Sequence, residues 1–468
     1  MTTAREGPHR ARRLAWTTLV ALAAATLPNA AAGQDVPDVE RGRSGPALQE
    51  VTLEEAVAGA RDRNARLRIS GEGTERARAR QRAAGSALLP RLDLEAGWTR
   101  TVDPVGAFGT RLRQGTFGQA DLALDALNDP APVSDWAGRA TLRWEVGAPQ
   151  RWAGRAAASG AARAAAWSEE RTREATDLGT RVRFYQALRT EEGLAAARAA
   201  LEAAEATLDR FRRRQEEGML TRADVLQARA ERAAARAEMA EAERARHQAR
   251  VDLAVHLGWS PDDSLPDADG EMAPPEPVDS AAFAPARRAD LRAREAAVAA
   301  AEARVDQARL DWVPSLGAFA SWSAHGVDGF DDDGTDWTVG LALRWSAFTG
   351  FRRSAEVAAA RADLTTARIE YEQALREARA EVRTARRAVE AARRGFEAAR
   401  EARRAAREGR DLMRRRFEEG LATPADLLQA EARASRTRSR AVDALARYHM
   451  AVARLDFARA RNDREDLR

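Results

Sequence analysis

The sequence predicts a mixed fold, an all-α coiled-coil barrel combined with a membrane β-barrel, built from long antiparallel helices and two two-stranded β segments per chain. Three observations predict it. The chain is written twice, with "EEGMLTRADVLQA" (Glu216 to Ala228) echoed by "EEGLATPADLLQA" (Glu418 to Ala430). Two stretches, 150–260 and 315–423, contain no proline and are dense in Ala, Arg and Glu, which are strong helix formers. Four segments of about ten residues alternate apolar and polar side chains, with tryptophans towards their ends, the pattern of membrane β-strands with aromatic girdles.

Taken in order, residues 1–32 read as a signal peptide. Arg5, Arg10, Arg12 and Arg13 precede the apolar run Leu14 to Leu27, which is too short to span a bilayer, and "NAAAG" offers a small-residue cleavage site near Ala32. Export is expected, and no later run of ~20 apolar residues predicts a transmembrane helix.

The first repeat occupies 33–257. Its strands fall at about 91–102 and 135–147, where Leu92, Leu94, Ala96 and Trp98, then Trp136, Ala140, Leu142, Trp144 and Val146, share the apolar face. A long loop separates them, and a long helix then runs to a hairpin tip at about 218–221. A Pro/Asp-rich linker follows at 258–285. The second repeat, 286–468, has strands at about 314–325 and 336–347, with Leu316, Ala318, Ala320 and Trp322, then Trp337, Val339, Leu341, Leu343 and Trp345, on the apolar face. "DGFDDDGTD" between them lacks calcium-ligand spacing and reads as an extracellular loop. Trp98, Trp136, Trp144, Trp322, Trp337 and Trp345 are the expected membrane aromatic girdle.

The helix before the second tip carries a seven-residue seam, Val357, Leu364, Tyr371, Ala378, Ala385, Ala392, Ala399, Ala406 and Met413, with Leu375, Val382, Val389 and Phe396 in the second seam position. A seven-residue apolar repeat held this long imposes coiled-coil packing, and at ~1.5 Å per residue such a helix is roughly 100 Å long. At the second tip, Gly420 suits the left-handed residue that ends a helix, while Thr423, Pro424 and Asp426 form a capping box with proline at the first position. Gly218, Thr221 and Asp224 repeat it.

Composition excludes several classes of function. There is no cysteine, hence no disulfide framework and no lipid-bearing cysteine. All 76 basic residues are arginine, but 72 acidic residues interleave with them, leaving a net charge of +4; alternating charge on helices reads as solvated coiled-coil faces rather than a nucleic-acid stripe. No catalytic or phosphate-binding motif occurs, so no enzyme, cofactor or metal site is expected. His247 and His449 share the offset of the repeat; they could meet as a metal pair, but read more simply as duplicated helix residues. Four strands cannot close a barrel, and open edges do not survive in lipid, so the chain must assemble. Two, three or four copies would supply eight, twelve or sixteen strands.

With these pieces in this order, the chain resembles the TolC-type outer-membrane efflux protein family, the outer-membrane factors of tripartite efflux and type I secretion systems. The resemblance covers nearly all of the mature chain and is carried by "LEEAVAGARDRN" (Leu53 to Asn64), "RADLRAREAAVAAAEA" (Arg288 to Ala303), the proline-led strands and the two tips. It implies a homotrimer sharing one twelve-stranded barrel in outer-membrane lipid, and a helical tunnel extending into the periplasm. It also implies tips that dock a periplasmic adaptor (membrane fusion) protein bound to an inner-membrane transporter. By this likeness Gly218, Met219, Leu220, Thr221, Gly420, Leu421, Ala422 and Thr423 are the adaptor-contact candidates. Asp224 and Asp426 are the pore-aperture candidates. Some members carry two aspartates after the second tip; Asp426 matches the first and Gln429 stands at the second, while Ala422 stands where such members have a basic residue. Whether Asp426 caps its helix or lines the pore is left open by its position. The competing expectation is an exported, soluble coiled-coil scaffold.

Overall fold

A computed structural model describes residues 50–260, 262, 265–276, 284–329 and 334–460. The expected signal peptide and the middle of the "DGFDDDGTD" loop lie outside these residues. The described chain forms two compact units, one holding residues 78–159 and 299–364 and the other holding the rest.

The first unit is built on one antiparallel sheet. Its strands are β2 (Arg91–Thr101), β3 (Val133–Gly147), β5 (Ser315–Gly326) and β6 (Gly334–Arg344), hydrogen-bonded in the order β2-β3-β5-β6. The period-two segments form these strands because alternation puts Leu92, Trp98, Trp136, Leu142, Trp144, Trp337, Val339 and Leu341 on one face and the charged and hydroxyl residues on the other. The apolar face is the exposed one: Trp98 is 52% accessible, Trp337 74% and Leu341 73%. Among the described residues β2 and β6 are open edges. β6 ends at Arg344, so Trp345 lies just past it rather than inside it. A bulge interrupts the β3–β5 register between Trp144 and Gly147. Between β2 and β3 the long loop holds a helix, α3 (Pro104–Arg113), a single 3₁₀ turn at Gln119–Leu122, and α4 (Leu124–Asn128).

The second unit is helical. It contains α1 (Leu53–Arg63) and parts of α2 (Ala65–Ser86), α5 (Pro149–Glu216), α7 (Ala289–Leu310) and α8 (Arg352–Glu418), with all of α6 (Arg222–Leu257) and α9 (Pro424–Arg459). α5 and α8 have 68 and 67 residues, so each is ~100 Å long at ~1.5 Å per residue. The predicted seam is the inward face of α8. Ala378, Val382, Val389 and Phe396 are buried, and the last three pack on Tyr448, Ala451, Leu455 and Ala458 of α9. A second core gathers Ala56 and Ala60 of α1, Phe184 and Leu188 of α5 and Leu253 and Leu257 of α6. The linker adds a short parallel pair to it, β1 (Glu50–Val51) with β4 (Asp267–Ala268).

A buried cation ties the start of α7 to α8 and α9. Arg288, 3% accessible, forks onto Asp290 (Nε–Oδ1 3.0 Å, Nη2–Oδ2 2.7 Å) and donates through Nη1 to Glu381 Oε2 (2.7 Å) and the Ala458 carbonyl (3.0 Å). A guanidinium has five N–H groups in a plane, and this site uses both of its edges.

Candidate functional site at the hairpin tips

Each tip is assembled from local backbone chemistry. After α5, Gly218 adopts φ +75°, and after α8, Gly420 adopts the same φ. The first turn closes with Gly218 N–H on the Gln215 carbonyl (2.9 Å) and Met219 N–H on Arg214 (2.8 Å). The second closes with Gly420 N–H on Phe417 (3.1 Å) and Leu421 N–H on Arg416 (2.7 Å). Both are Schellman motifs, in which a left-handed residue lets two N–H groups turn back onto the orphan carbonyls of the last turn. No heavy atom lies within 4 Å of where a Cβ would stand on either glycine. Glycine is required there by dihedral, not by space.

Three residues later the next helix starts. Thr221 N–H donates to Asp224 Oδ2 (2.9 Å) and Asp224 N–H donates to Thr221 Oγ1 (3.3 Å). Thr423 and Asp426 repeat this at 3.1 and 3.2 Å, and each threonine hydroxyl adds a 2.7 Å hydrogen bond to its aspartate. The Thr423 hydroxyl, then its N–H, hold the Asp426 carboxyl below its ordinary value. Thr221 and Thr423 are the N-caps, and both aspartates are engaged as the N3 half of a capping box.

The tip residues divide by exposure. Met219 and Leu421, equivalent across the repeat, are 66% and 65% accessible, and Gly218, Thr221, Gly420 and Thr423 are exposed beside them. Leu220 and Ala422 turn inward onto one shared core of Leu208, Phe211, Ala228, Phe417, Leu427 and Leu428. Phe211 and Phe417 bring the two hairpins together, with ring centroids 5.4 Å apart. The eight predicted tip residues therefore belong to one composite end, not to two separate loops.

Two residues in this end were not singled out by the sequence reading. Arg214 of α5 reaches across to the C-terminus of α8, donating to the carbonyls of Phe417 (3.0 Å) and Glu418 (3.2 Å), with its guanidinium 4.5 Å above the Phe417 ring. A cation at a helix C-terminus satisfies orphan carbonyls and meets the negative end of the macrodipole. Glu431 of α9, with a side chain only 12% accessible, accepts from Thr207 Oγ1 (3.1 and 3.0 Å) and lies 3.6 Å from Arg210 and 3.7 Å from Arg414. Burial raises its carboxyl above the ordinary value despite these partners. The available signal was a break in the repeat, because Glu431 stands where the first half has Arg229.

The tryptophan candidates also have defined surroundings. Trp98 faces Trp136 across β2–β3, and Trp322 faces Trp337 across β5–β6. Trp144 and Trp345 donate their indole N–H groups to the carbonyls of Leu88 (3.0 Å) and Trp312 (3.2 Å), the equivalent turns of the two repeats. Each ring thus exposes its hydrocarbon while its one donor is satisfied. His449 stacks on Tyr185, 4.3 Å between centroids, and its Nε2 contacts the Ala273 carbonyl at 2.7 Å, whereas His247 is exposed. Among the described residues no cluster of His, Asp or Glu has the form of a metal site.

Comparison with known proteins places these features in context. The family described as "Outer membrane efflux protein" matches residues 57–259 and 283–460. Protein CyaE of Bordetella pertussis is 30% identical over 190 residues, which are 39% of this chain and 40% of that protein; the chain spans well under half the length of this relative. A membrane protein from Pseudomonas aeruginosa has 24% identity and a TM-score of 0.74, covering 87% of this chain and 93% of its own. The Campylobacter jejuni CmeC outer membrane channel has 17% identity and a TM-score of 0.73, covering 87% and 85%. The open-state MtrE outer membrane channel of Neisseria gonorrhoeae has 21% identity and a TM-score of 0.71, covering 87% and 88%. At these identities the structural likeness establishes the fold.

Proposed function

Because the chain belongs to the outer membrane efflux protein family, we propose that it is the outer-membrane subunit of a trans-periplasmic exit duct for efflux or type I secretion. Three copies join their open β2 and β6 edges into a twelve-stranded barrel. The tips dock a periplasmic adaptor that links the duct to an inner-membrane pump. The family is one of transport channels, not enzymes.

The observation that carries this reading is the sheet. It presents a tryptophan-flanked apolar face outward, with Trp337, Val339, Leu341 and Leu343 all more than half exposed, and among the described residues both of its edges are unpaired. In water such a surface is an aggregation hazard; in a bilayer, with the edges closed by further copies, it is satisfied. A soluble scaffold has no use for it. Met219 and Leu421 are the side chains that the tips offer to the adaptor, and Gly218, Gly420, Thr221 and Thr423 fix the backbone that presents them. Asp224 and Asp426 complete the capping boxes, and they stay the candidates for the aperture of the proposed trimer.

Outer-membrane fractionation followed by planar-bilayer recording tests the duct. The expected result is a carbonate-resistant, trimeric protein that forms channels without an energy source. Release by carbonate, or a purified trimer without conductance, would overturn the reading. A double Met219→Asp, Leu421→Asp variant should keep conductance and lose adaptor capture; capture at wild-type level would remove the tips from the interface.

A further inference from the structure

The sheet has a second unexplained feature, on the face opposite the tryptophans. α3 starts from a strong cap, with Gly106 N–H donating to Asp103 Oδ2 (2.6 Å) and Pro104 in its first turn. It lies against the polar face of β3, β5 and β6. Ala107 (1% accessible), Thr110 (7%) and Gln114 (2%) form its buried side. Gln114 Nε2 sits within hydrogen-bond distance of the Ser134 carbonyl (2.7 Å), Asp135 Oδ1 (3.0 Å) and the Gly326 carbonyl (3.2 Å). The other oxygen of Asp135 meets His325 Nδ1 at 2.9 Å, and His325 Nε2 faces Asp336 at 3.9 Å. A Cβ on Gly334, the residue paired with His325, would stand 1.5 Å from the Arg113 carbonyl. That close approach puts the end of α3 on the polar face and explains why the register position opposite His325 carries no side chain. Arg111 pairs with Asp121, so the following loop is tied to the helix as well.

The outer side of α3 is apolar: Val105 is 80% accessible, Leu112 50% and Phe108 37%, a stripe at helical spacing. If the proposed trimeric barrel holds, as this inference requires, the polar face lines the lumen, and the stripe points towards the barrel axis. Twelve strands ~4.8 Å apart and tilted ~40° close at a backbone radius of about 12 Å. A layer packed roughly 10 Å off the sheet then stands within a few ångström of the axis. Three helices packed 8–10 Å apart need their axes about 5 Å from the centre, and the small residues Ala107 and Thr110 allow α3 the required closeness to the wall. Phe108 already packs against the Phe117 ring of its own loop, 5.0 Å between centroids, and across the axis the stripe meets the same stripe on the other two copies.

We infer that α3 is an internal lid, and that the Val105, Phe108 and Leu112 stripes of three copies meet on the barrel axis to close the barrel at the end where the β2–β3 connections lie. The lid is apolar where copies meet and polar where it meets the wall. Outgoing cargo can part the copies without detaching each helix from its own strands.

The chain has no cysteine, so single-cysteine variants need no background changes. Leu112→Cys and Val105→Cys in the purified full-length trimer, oxidised with copper phenanthroline, are expected to give a covalent dimer on a denaturing gel and a fall in conductance that dithiothreitol reverses. Leu341→Cys, on the opposite face, should stay monomeric on the gel. Leu112→Asp, which sets carboxylates against one another on the axis, should raise conductance above wild type. A conducting trimer that shows neither the crosslink nor the rise with Leu112→Asp overturns the lid and leaves the duct standing. A protein that is monomeric and non-conducting overturns both.

Discussion

The tip glycines offer a clean test, because conformation and contact are separable there. Gly420 has φ +75° and no neighbour within 4 Å of a would-be Cβ. Gly420→Ala therefore adds no clash with the surroundings and carries only the cost of a left-handed backbone, about 1–2 kcal/mol for a residue with a Cβ. At about 1.4 kcal/mol per tenfold, local opening of the tip should rise roughly 5- to 30-fold. The bonds that open are those from the N–H groups of residues 420 and 421 to the carbonyls of Phe417 (3.1 Å) and Arg416 (2.7 Å). Amide hydrogen exchange at these two positions should accelerate by that factor, while exchange around Phe396 and Tyr448, in the core between α8 and α9, stays unchanged. Gly420→Asn should remain near wild type, because asparagine tolerates the left-handed region. Gly218→Ala should reproduce the effect at the first tip, which has the same dihedral and the same two bonds. Wild-type exchange in Gly420→Ala, or asparagine exchanging as fast as alanine, would refute the reasoning that the dihedral is what this position requires.

Two further outcomes follow from buried charges. Arg288→Met removes the hydrogen bonds to Asp290, Glu381 and the Ala458 carbonyl, and because both carboxylates still reach water unfolding stability should fall by only about 1–2 kcal/mol, read as a fall in the thermal midpoint of the assembled protein. Glu431 has its carboxyl raised above the ordinary value near 4.5, so its contribution to stability is fully present below that value and is lost as pH rises through the raised one. Glu431→Gln should thus be as stable as wild type or more so at neutral pH, and should lose the gain in tip protection that wild type shows on acidification through that window; a variant markedly less stable at neutral pH would show that the Arg210 and Arg414 contacts outweigh burial.

Much of the fold was legible in the sequence, for local reasons. The two tips follow from Gly, Thr and Asp at fixed offsets, because caps and left-handed turns are satisfied within a few residues. The face of α8 that is buried follows from its seven-residue seam, and the four strands follow from alternation. Only strand ends shifted: β3 starts at Val133 rather than Asp135 and β6 stops before Trp345. What was not legible depends on partners distant in the chain. Arg214 looks like any other arginine in a chain with 76 basic residues until α8 ends beneath it. Glu431, Asp135 and His325 are unremarkable in sequence and become buried only when other elements close over them.

The sequence by itself determined the duplicated unit, the element types, the apolar face of each strand and helix, and the backbone chemistry of each tip, since periodicity and capping act over a handful of residues. Tertiary structure alone decided that the two tips share one core through Phe211 and Phe417, and that the β2–β3 loop turns back onto the polar face of the sheet. Those outcomes rest on contacts between residues far apart in the chain, whose burial and distances no local pattern encodes.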